Sequence, residues 1–403
     1  MAKIQGNKKA CLITPGHIAA DPRLVKEAQA LSQAGMQVHI IFTQYVDYLI
    51  DHERQILSAS PNWTFKCLDW SGKSLTSKIF RAIGGLLRRF IPGINTKINR
   101  NFAWQLKQAI AYPADIYIGH NPGGLPVAVI AAKKNNAKCG FDAEDFHRNE
   151  RCDDEKDPDV VLKTAIENKY IRQLDYMVAA SPQIAAKYVD LFHINVEPVL
   201  NVFPKTAVSK IINNTDRPLQ LFWFSQTVGL NRGLETIIRA INKTGVKMDL
   251  HLLGKVAPAY KNQLQVVNGE KASAVLHFHA PVVPDEIFVI AKQFDIGLAL
   301  ESSIPLNRDI CLTNKIFTFI QSGLAVIASN TTAQTILMEQ YAETGKLYKN
   351  INELAEILLS YHHNRGLLYQ TKQASYRIGQ TKLNWEIESE KLINVVQKTL
   401  ANQ

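Results

Sequence analysis

Short apolar runs alternate with longer segments of helical periodicity through most of this chain. The run Cys11 to Thr14 is followed by a helical pattern from about Arg23 to Ala34, which ends at Gly35. A second apolar run follows at Val38 to Phe42. Such runs are typical of strands buried on both faces of a parallel sheet. We therefore expect an α/β fold class with doubly wound, Rossmann-like sheets.

The units fall into two groups, separated by a polar stretch at Lys205 to Pro218 that is typical of a linker. The further predicted strands are Phe65–Leu68, Ile116–Ile118, Cys139–Phe141, Tyr176–Ala179, Leu219–Phe224, Met248–Leu253, Val275–His279, Asp295–Leu300 and Leu324–Ala328. The further predicted helices are Leu125–Lys133, Val160–Ile171, Gln183–Val189 and Gly233–Ala240, with a helical pattern from Asn352 onward. A chain of 403 residues suits two such domains, and we expect the first to close at residue 204.

The net charge of +10 favours an anionic partner, such as a nucleotide or a phosphate-bearing lipid. No nucleic-acid-binding motif is present, so no nucleic acid partner is expected. The five cysteines are scattered and form no Cys-x-x-Cys pair, which argues against a disulfide framework and a zinc site. The N-terminal residues contain no apolar run typical of a signal peptide, so we expect a cytoplasmic protein.

Residues 73–100 combine basic and apolar side chains in a pattern that fits a basic amphipathic helix. Such a helix could lie on an anionic bilayer, which would place the protein peripherally on the inner face of the membrane. A surface helix that packs its apolar side on the sheet explains the pattern equally well.

The segment from Leu312 to Gly323 predicts a phosphate-binding site. Thr313, Asn314 and Lys315 open a short helix after a buried strand and a polar loop. Free backbone N–H groups, the positive end of the helix dipole and a lysine would then point to one place.

A second phosphate-binding loop is predicted after the strand that ends at Phe224. Ser225, Gln226 and Gly229 lead to Arg232 at the start of a helix. In a doubly wound domain the loops after the first and fifth strands can meet over one ligand. Arg232 and Lys315 are therefore expected to flank one diphosphate.

Acidic residues and a histidine cluster after the predicted strand at 139–141. Asp142, Glu144, Asp145 and His147 could bind a metal or act as a base toward an acceptor hydroxyl, although their spacing matches no metal motif. Nearer the N-terminus, His17 and Arg23 are candidates for the same side of the sheet. Asp21 and Pro22 have an adequate local explanation as N-cap and first residue of a helix.

The order of these features resembles the retaining glycosyltransferases of family 4, which have the two-domain GT-B fold. The similarity covers most of the chain. Its motifs are Asp21-Pro22-Arg23 with Lys26-Glu27-Ala28 and Leu31, Gly35, Gly119-His120-Asn121-Pro122, Ala180-Ser181, Val199-Leu200-Asn201, Arg232-Gly233-Leu234-Glu235, Asn314-Lys315-Ile316-Phe317 before Gly323, and Asn384-Trp385-Glu386.

The resemblance implies transfer of a sugar from a nucleotide-diphosphate sugar to a glycan or lipid-linked acceptor, with retention of configuration and with neither metal nor cofactor. It implies two Rossmann-like domains facing a central cleft: residues 1–204 for the acceptor, residues 205–380 for the donor, and a final helix at 381–403 packed back on the first domain. His120, Arg232 and Lys315 would be catalytic.

The chain departs from the family at two glutamate positions, which are occupied by Ile310 and Thr318. A hydroxyl at Thr318 cannot accept two ribose hydroxyls as a carboxylate does. Glu301 or Asp309 could replace the missing acids from the preceding loop. A nucleotide-sugar epimerase on the same fold, or a catalytically weak binding or assembly protein, are the alternatives.

Overall fold

In the computed structural model the chain divides into two compact units, each described by itself. Unit 1 comprises residues 1–200 and 389–403, and unit 2 comprises residues 201–388. The structure describes residues 3–72, 77–78, 93–207, 211–270 and 272–401.

Unit 1 contains a seven-stranded parallel sheet with the order β3-β2-β1-β4-β5-β6-β7. Its strands are β1 Lys9–Ile13, β2 Gln37–Gln44, β3 Thr64–Asp69, β4 Ile116–His120, β5 Lys138–Ala143, β6 Tyr176–Ala179 and β7 Val196–Pro198. Its described α-helices are α1 Pro22–Gln33, α2 Asp47–Ser58, α3 Ile94–Ile98, α4 Phe102–Ala111, α5 Asn121–Asn135, α6 Pro158–Tyr170 and α7 Pro182–Phe192. Short 3₁₀ helices occur at Ile18–Ala20, His147–Asn149 and Ile171–Gln173.

Unit 2 contains a six-stranded parallel sheet with the order β10-β9-β8-β11-β12-β13. Its strands are β8 Leu219–Val228, β9 Met248–Val256, β10 Ala274–His279, β11 Ile296–Ala299, β12 Ala325–Ser329 and β13 Gly345–Tyr348. Its α-helices are α8 Leu234–Thr244, α9 Pro258–Asn268, α10 Pro284–Ala291, α11 Leu306–Ile310, α12 Asn314–Gln321, α13 Thr332–Gln340, α14 Ile351–His363 and α15 Arg365–Thr381. A 3₁₀ helix lies at Ala342–Thr344, and α16, Trp385–Ala401, continues from unit 2 into unit 1.

The apolar runs form the strands because each lies at the centre of a doubly covered sheet. Ala10 to Ile13 in β1 and Ala325 to Ala328 in β12 are fully buried. Burial on both faces removes the alternation of polar and apolar residues that a half-exposed strand would show. The core thus explains why continuous apolar runs, and not alternating ones, mark this fold.

The strand order reverses direction at one point in each sheet. In unit 1 the chain leaves β1 toward β2 and β3 and then returns to place β4 on the other side of β1. In unit 2 the same reversal lies between β8 and β11. Ligands of doubly wound sheets bind outside the carboxyl ends of the strands at such points.

The predicted strands and helices correspond to observed elements, but two short strands and several helices were missed, among them α2, α4, α9, α10 and α13. β7 is three residues long and ends at Pro198, while β13 reads Gly-Lys-Leu-Tyr and contains no apolar run. The predicted linker forms neither helix nor strand where it is described, yet it is packed: Thr206 Oγ1 donates to Gln321 O at 2.9 Å. The side chain of Lys372 donates to Ile212 O at 2.9 Å.

The basic segment predicted to contact a membrane falls mostly outside the described residues, which include only residues 77, 78 and 93–100 of it. Within the described chain, no helix combines the length and the hydropathy that crossing a bilayer requires.

Candidate functional site

Two loops meet at the strand reversal of unit 2. A Cβ placed on Gly233, after β8, would lie 3.2 Å from the Cβ of Leu300, after β11. Arg308 Nη1 donates to the carbonyl oxygen of Asn231 at 3.4 Å. The loop that carries Arg232 therefore packs directly against the loop that leads to Lys315.

Lys315 lies in the first turn of α12 and is paired with a buried acid. Its Nζ is 2.5 Å from Glu301 Oε1, and the hydroxyl of Thr313 donates to the same oxygen at 3.0 Å. The side chains of Lys315 and Glu301 are only 11% and 5% exposed. Glu301 thus fixes the ammonium group at the helix N-terminus, where backbone N–H groups and the helix dipole also favour an anion.

Residues at the end of β12 hold Glu301 in place, and sequence reasoning missed them. The hydroxyl of Ser329 accepts from the backbone N–H of Glu301 at 2.8 Å and from Gln334 Nε2 at 3.0 Å. Ser329 ends β12, the strand adjacent to β11, and Gln334 lies in the following helix, α13. Only the pairing of the two strands brings them together, so no signal within the sequence segment itself could have identified them.

Arg232 lies half-buried on the loop between β8 and α8, which contacts the loop leading to Lys315. Among the described residues it has neither a hydrogen-bond partner nor an ion-pair partner. Its neighbours Asn231 and Gly233 both have left-handed backbone conformations, with φ of 59° and 72°. This tight turn presents the guanidinium at the start of α8, available for a phosphate.

Ser225 and Gln226 lie in β8 at an irregularity of its pairing with β9 between Phe224 and Thr227. Ser225 is half-buried and Gln226 is exposed. Gly229 follows the strand and is half-buried. Ser225 and Gln226 therefore lie at the carboxyl end of β8, and Gly229 lies on the loop that leads to Arg232.

The remaining donor candidates are engaged elsewhere in unit 2. Asp309 accepts from the backbone N–H of Thr332 at 3.0 Å and from its hydroxyl at 2.5 Å, so it binds the first residue of α13. Thr318 is buried, and its hydroxyl donates to the carbonyl of Asn314 within α12. Ile310 is also buried. Asn314, in contrast, is exposed at the first position of α12.

In unit 1 the end of β4 lies at the strand reversal and carries His120. The following residues, Pro122 to Gly124, lie in the first turn of α5. A Cβ on Gly124 would lie 2.5 Å from the carbonyl oxygen of Ile13, so glycine permits this helix to approach β1 closely. His120 itself contacts Glu27 of α1.

His120 is completely buried between two carboxylates. Its Nε2 lies 2.8 Å from Glu27 Oε2, and its Nδ1 lies 3.8 Å from Glu144 Oε1. Burial by itself would lower the pKa of His120, but the negative charge of Glu27 and the neighbouring acids outweigh it and hold the pKa well above its usual value. Glu27 was not predicted as a site residue, although its position four residues after Arg23 on one helix was a usable signal.

Arg23 and Asp21 belong to the same buried group. Arg23 Nε donates to both carboxylate oxygens of Asp142 at 2.8 Å, whereas its Nη1 and Nη2 have no hydrogen-bond partner in the described structure. Burial and then the charge of Glu144 raise the pKa of Asp21 to about 8. Asp21 also caps α1, as predicted, by accepting from the backbone N–H of Leu24.

Tyr176 completes this group from β6. A Cβ on Gly140, its partner in β5, would lie 2.0 Å from the tyrosine ring, so the ring lies directly across the glycine. Burial and then the charge of Glu27 hold the pKa of the Tyr176 phenol well above its usual value. The sequence analysis assigned no role to either residue.

His17 is held in place by hydrogen bonds within unit 1. Its Nδ1 donates to Glu53 Oε1 at 2.9 Å, and its Nε2 accepts from the backbone N–H groups of Tyr45 and Val46 at 2.8 Å. Both ring nitrogens are therefore used within unit 1.

His147 and Asp145 lie in the segment after β5. His147 is buried, with its Nδ1 3.9 Å from Glu150 Oε2. Burial would lower the pKa of His147, but the interaction with Glu150 raises it. Asp145 is half-buried and interacts with neighbouring groups.

Two sets of side chains in the described structure have ligand atoms close enough for one metal ion. Asp21, His120 and Glu144 form one set, and Glu27, His120 and Asp142 form the other; in each, the ligand atoms lie within 4.8 Å of one another. His120 is common to both.

No protein-family model matches this chain, and no curated protein matches its sequence. Solved structures do match. HepE from Anabaena, crystallised with UDP and glucose, has 14% identity and a TM-score of 0.68, with coverage of 97% of this chain and 100% of HepE. Sucrose-phosphate synthase from Thermosynechococcus elongatus has 14% identity and a TM-score of 0.70, with 98% and 100% coverage.

A third match is a protein described as a UDP-N-acetylglucosamine 2-epimerase from Listeria monocytogenes, with 11% identity, a TM-score of 0.59 and coverage of 99% and 98%. At these identities the likeness establishes the fold alone. It confirms the predicted fold class: two Rossmann-like domains of the GT-B fold, built on sheets of seven and six parallel strands.

Proposed function

We propose that this protein is a glycosyltransferase that moves a sugar from a nucleotide-diphosphate sugar to a glycan or lipid-linked acceptor. The observation that carries the proposal is the pair of cations on two contacting loops of unit 2. Arg232 has no partner in the described structure, and Lys315 is held by Glu301 at a helix N-terminus. HepE, which shares the fold, was crystallised with UDP and glucose, which supports this choice of donor.

In the proposed reaction, Arg232 and Lys315 stabilise the nucleoside diphosphate as it leaves. Negative charge grows on the leaving oxygen as the bond to the sugar breaks, and fixed cations stabilise that transition state more than the ground state. These two side chains can supply the positive charge at the diphosphate without a metal ion or a cofactor, as the resemblance to family 4 implies. Retention of configuration is likewise proposed from that resemblance.

We assign the acceptor to unit 1, as the resemblance implies, and revise the role of one residue there. His120 is fully buried, whereas the neighbouring Glu144 side chain is 21% exposed. We therefore propose that His120 acts as a positioning residue and that Glu144 lies nearer to the acceptor. A cytoplasmic location and contact of residues 73–100 with an anionic membrane remain predictions.

The donor is tested by calorimetric titration of the full-length protein with UDP, GDP and ADP. We expect one of these nucleotides to bind, and Arg232→Ala to weaken that binding. If none of them binds, the cations of unit 2 do not form a diphosphate site and the proposal is wrong.

The match to the epimerase from Listeria makes epimerisation the second candidate function. Incubation with a nucleotide sugar alone separates the two. An epimerase converts the sugar while it stays attached to the nucleotide, whereas a transferase needs an acceptor and releases the nucleoside diphosphate. A protein that binds the nucleotide but does neither would be a binding or assembly protein. The presence of Ile310 and Thr318 at the two positions where the family has glutamates favours that alternative.

A further inference from the structure

The buried group around His120 brings Asp21, which has no role in the proposed sugar transfer, together with His120 and Glu144. Asp21 precedes α1, His120 ends β4 and Glu144 follows β5. Their ligand atoms lie within 4.8 Å of one another. The strand order therefore assembles two carboxylates and one imidazole from three separate parts of the sequence.

Both ring nitrogens of His120 are buried, and neither has a hydrogen-bond partner in the described structure. Nε2 lies 2.8 Å from Glu27 Oε2. Nδ1 lies 3.8 Å from Glu144 Oε1, which is also buried and without a hydrogen-bond partner. A gap of 3.8 Å is too long for a hydrogen bond. It suits two ligands of one ion, which lie about 3 to 4.5 Å apart when each is about 2.0 to 2.3 Å from the metal.

The residues behind these ligands match the second shell of a metal site. A metal-bound histidine generally donates its other ring N–H to a carboxylate, which fixes the tautomer. Glu27 is placed to accept from Nε2 and would leave the lone pair of Nδ1 for the ion. Hydrogen bonds also fix the orientation of the Asp21 carboxylate, which accepts from Leu24 N and Asn121 Nδ2, both at 3.1 Å.

The charges of this region favour a cation. Four carboxyl groups meet here, from Asp21, Glu27, Asp142 and Glu144, against the cations Arg23 and Lys26. A metal-bound His120 is neutral and the carboxylates are then ionised, so the four carboxylates exceed the two cations by two charges, which a divalent ion would balance. The part-exposed Glu144 side chain provides a route from solvent.

We propose that Asp21, His120 and Glu144 bind a divalent first-row transition-metal ion, with Mn²⁺ and Zn²⁺ as the fitting ions and Glu27 as the second-shell residue. One imidazole and two carboxylates suit these ions, whereas Ca²⁺ prefers a larger set of oxygen ligands. The site lies within unit 1, the diphosphate residues lie within unit 2, and the inference does not rest on the proposed function.

The test uses the full-length protein, freed of metal with a chelator and kept free of nucleotide. Titration with MnCl₂ and, separately, ZnCl₂ should show about one ion bound per chain and a higher melting temperature. Glu144→Gln removes a ligand and should lower the affinity at least about tenfold. Glu27→Gln keeps all three ligands and should lower it by about 10- to 100-fold. The control is Glu155→Gln, because Glu155 is an exposed carboxylate after the same strand and should bind as the wild type does.

A wild-type measurement keeps the test independent of how the variants fold. Pulsed electron paramagnetic resonance of bound Mn²⁺ should show coupling to an imidazole nitrogen. Absence of that coupling, absence of binding at about millimolar metal, or equal affinity of wild type and a folded Glu144→Gln variant would each overturn the proposal.

Discussion

At the scale of single residues, the two cations of unit 2 differ in what holds them. Arg232 has no partner among the described residues, so Arg232→Ala should change the free energy of unfolding by no more than about 0.5 kcal/mol. The same change should slow sugar transfer about 10²- to 10³-fold, because it removes a charge that stabilises the leaving group. Urea unfolding and steady-state kinetics measure the two effects. A stable variant with wild-type turnover would remove Arg232 from the site.

Lys315 should behave differently because Glu301 depends on it. Lys315→Met leaves the nearly buried Glu301 carboxylate without its counter-charge, at a cost of about 3–5 kcal/mol in stability. Combining it with Glu301→Gln should recover most of that stability, since Gln can still accept from Thr313. Nucleoside diphosphate binding should stay weak in both variants. If calorimetry finds that the double variant binds as tightly as the wild type, Lys315 has only a structural role.

At the scale of the elements, the position of α12 depends on one glycine in β11. A Cβ on Gly297 would lie 2.2 Å from Cγ of Phe319, so Gly297→Ala must push α12 away from the sheet. We expect a loss of about 1–3 kcal/mol in stability and weaker nucleotide binding, because α12 also carries Lys315. Gly93→Ala is the control, since its Cβ would meet nothing within 4 Å. Unchanged nucleotide affinity in a folded Gly297→Ala protein would show that the position of α12 does not matter for binding.

At the scale of the whole molecule, acid should weaken unit 2 more than unit 1. Burial, and then the charges of His277 and His279, lower the pKa of His251 to about 4, and burial also lowers the pKa of His279. An unfolded histidine titrates near 6.5, so below that pH the unfolded state binds more protons. The stability from these residues is complete above about pH 6.5 and is lost as the pH falls toward 4.

The histidines of unit 1 partly oppose this trend. The pKa values of His120 and His147 are raised, so their contributions to stability are complete below pH 6.5 and are lost as the pH rises. His39 in unit 1 has a lowered pKa, about 4, and its contribution is lost as the pH falls, like that of His251. Hydrogen exchange at pH 7 and pH 5, corrected for intrinsic rates, should show earlier loss of protection in peptides of unit 2. Earlier loss in unit 1 would contradict the prediction.

The sequence by itself determined the fold class and the phosphate-binding segment. Continuous apolar runs such as Cys11 to Thr14 arise because both faces of the sheet are covered, and helix starts such as Thr313 to Lys315 are set by a few adjacent residues. Properties that depend on neighbours in the chain are visible in the sequence.

Only the tertiary structure decided which side chains meet. The pairing of β11 with β12 brings Ser329 to Glu301, and the packing of α1 on the sheet of unit 1 brings Glu27 to His120. The same packing left His17 and Thr318, two candidates from the sequence, with their polar atoms bonded inside their own units. Partners far apart in the sequence are selected by strand order and close packing, and local composition carries no record of either.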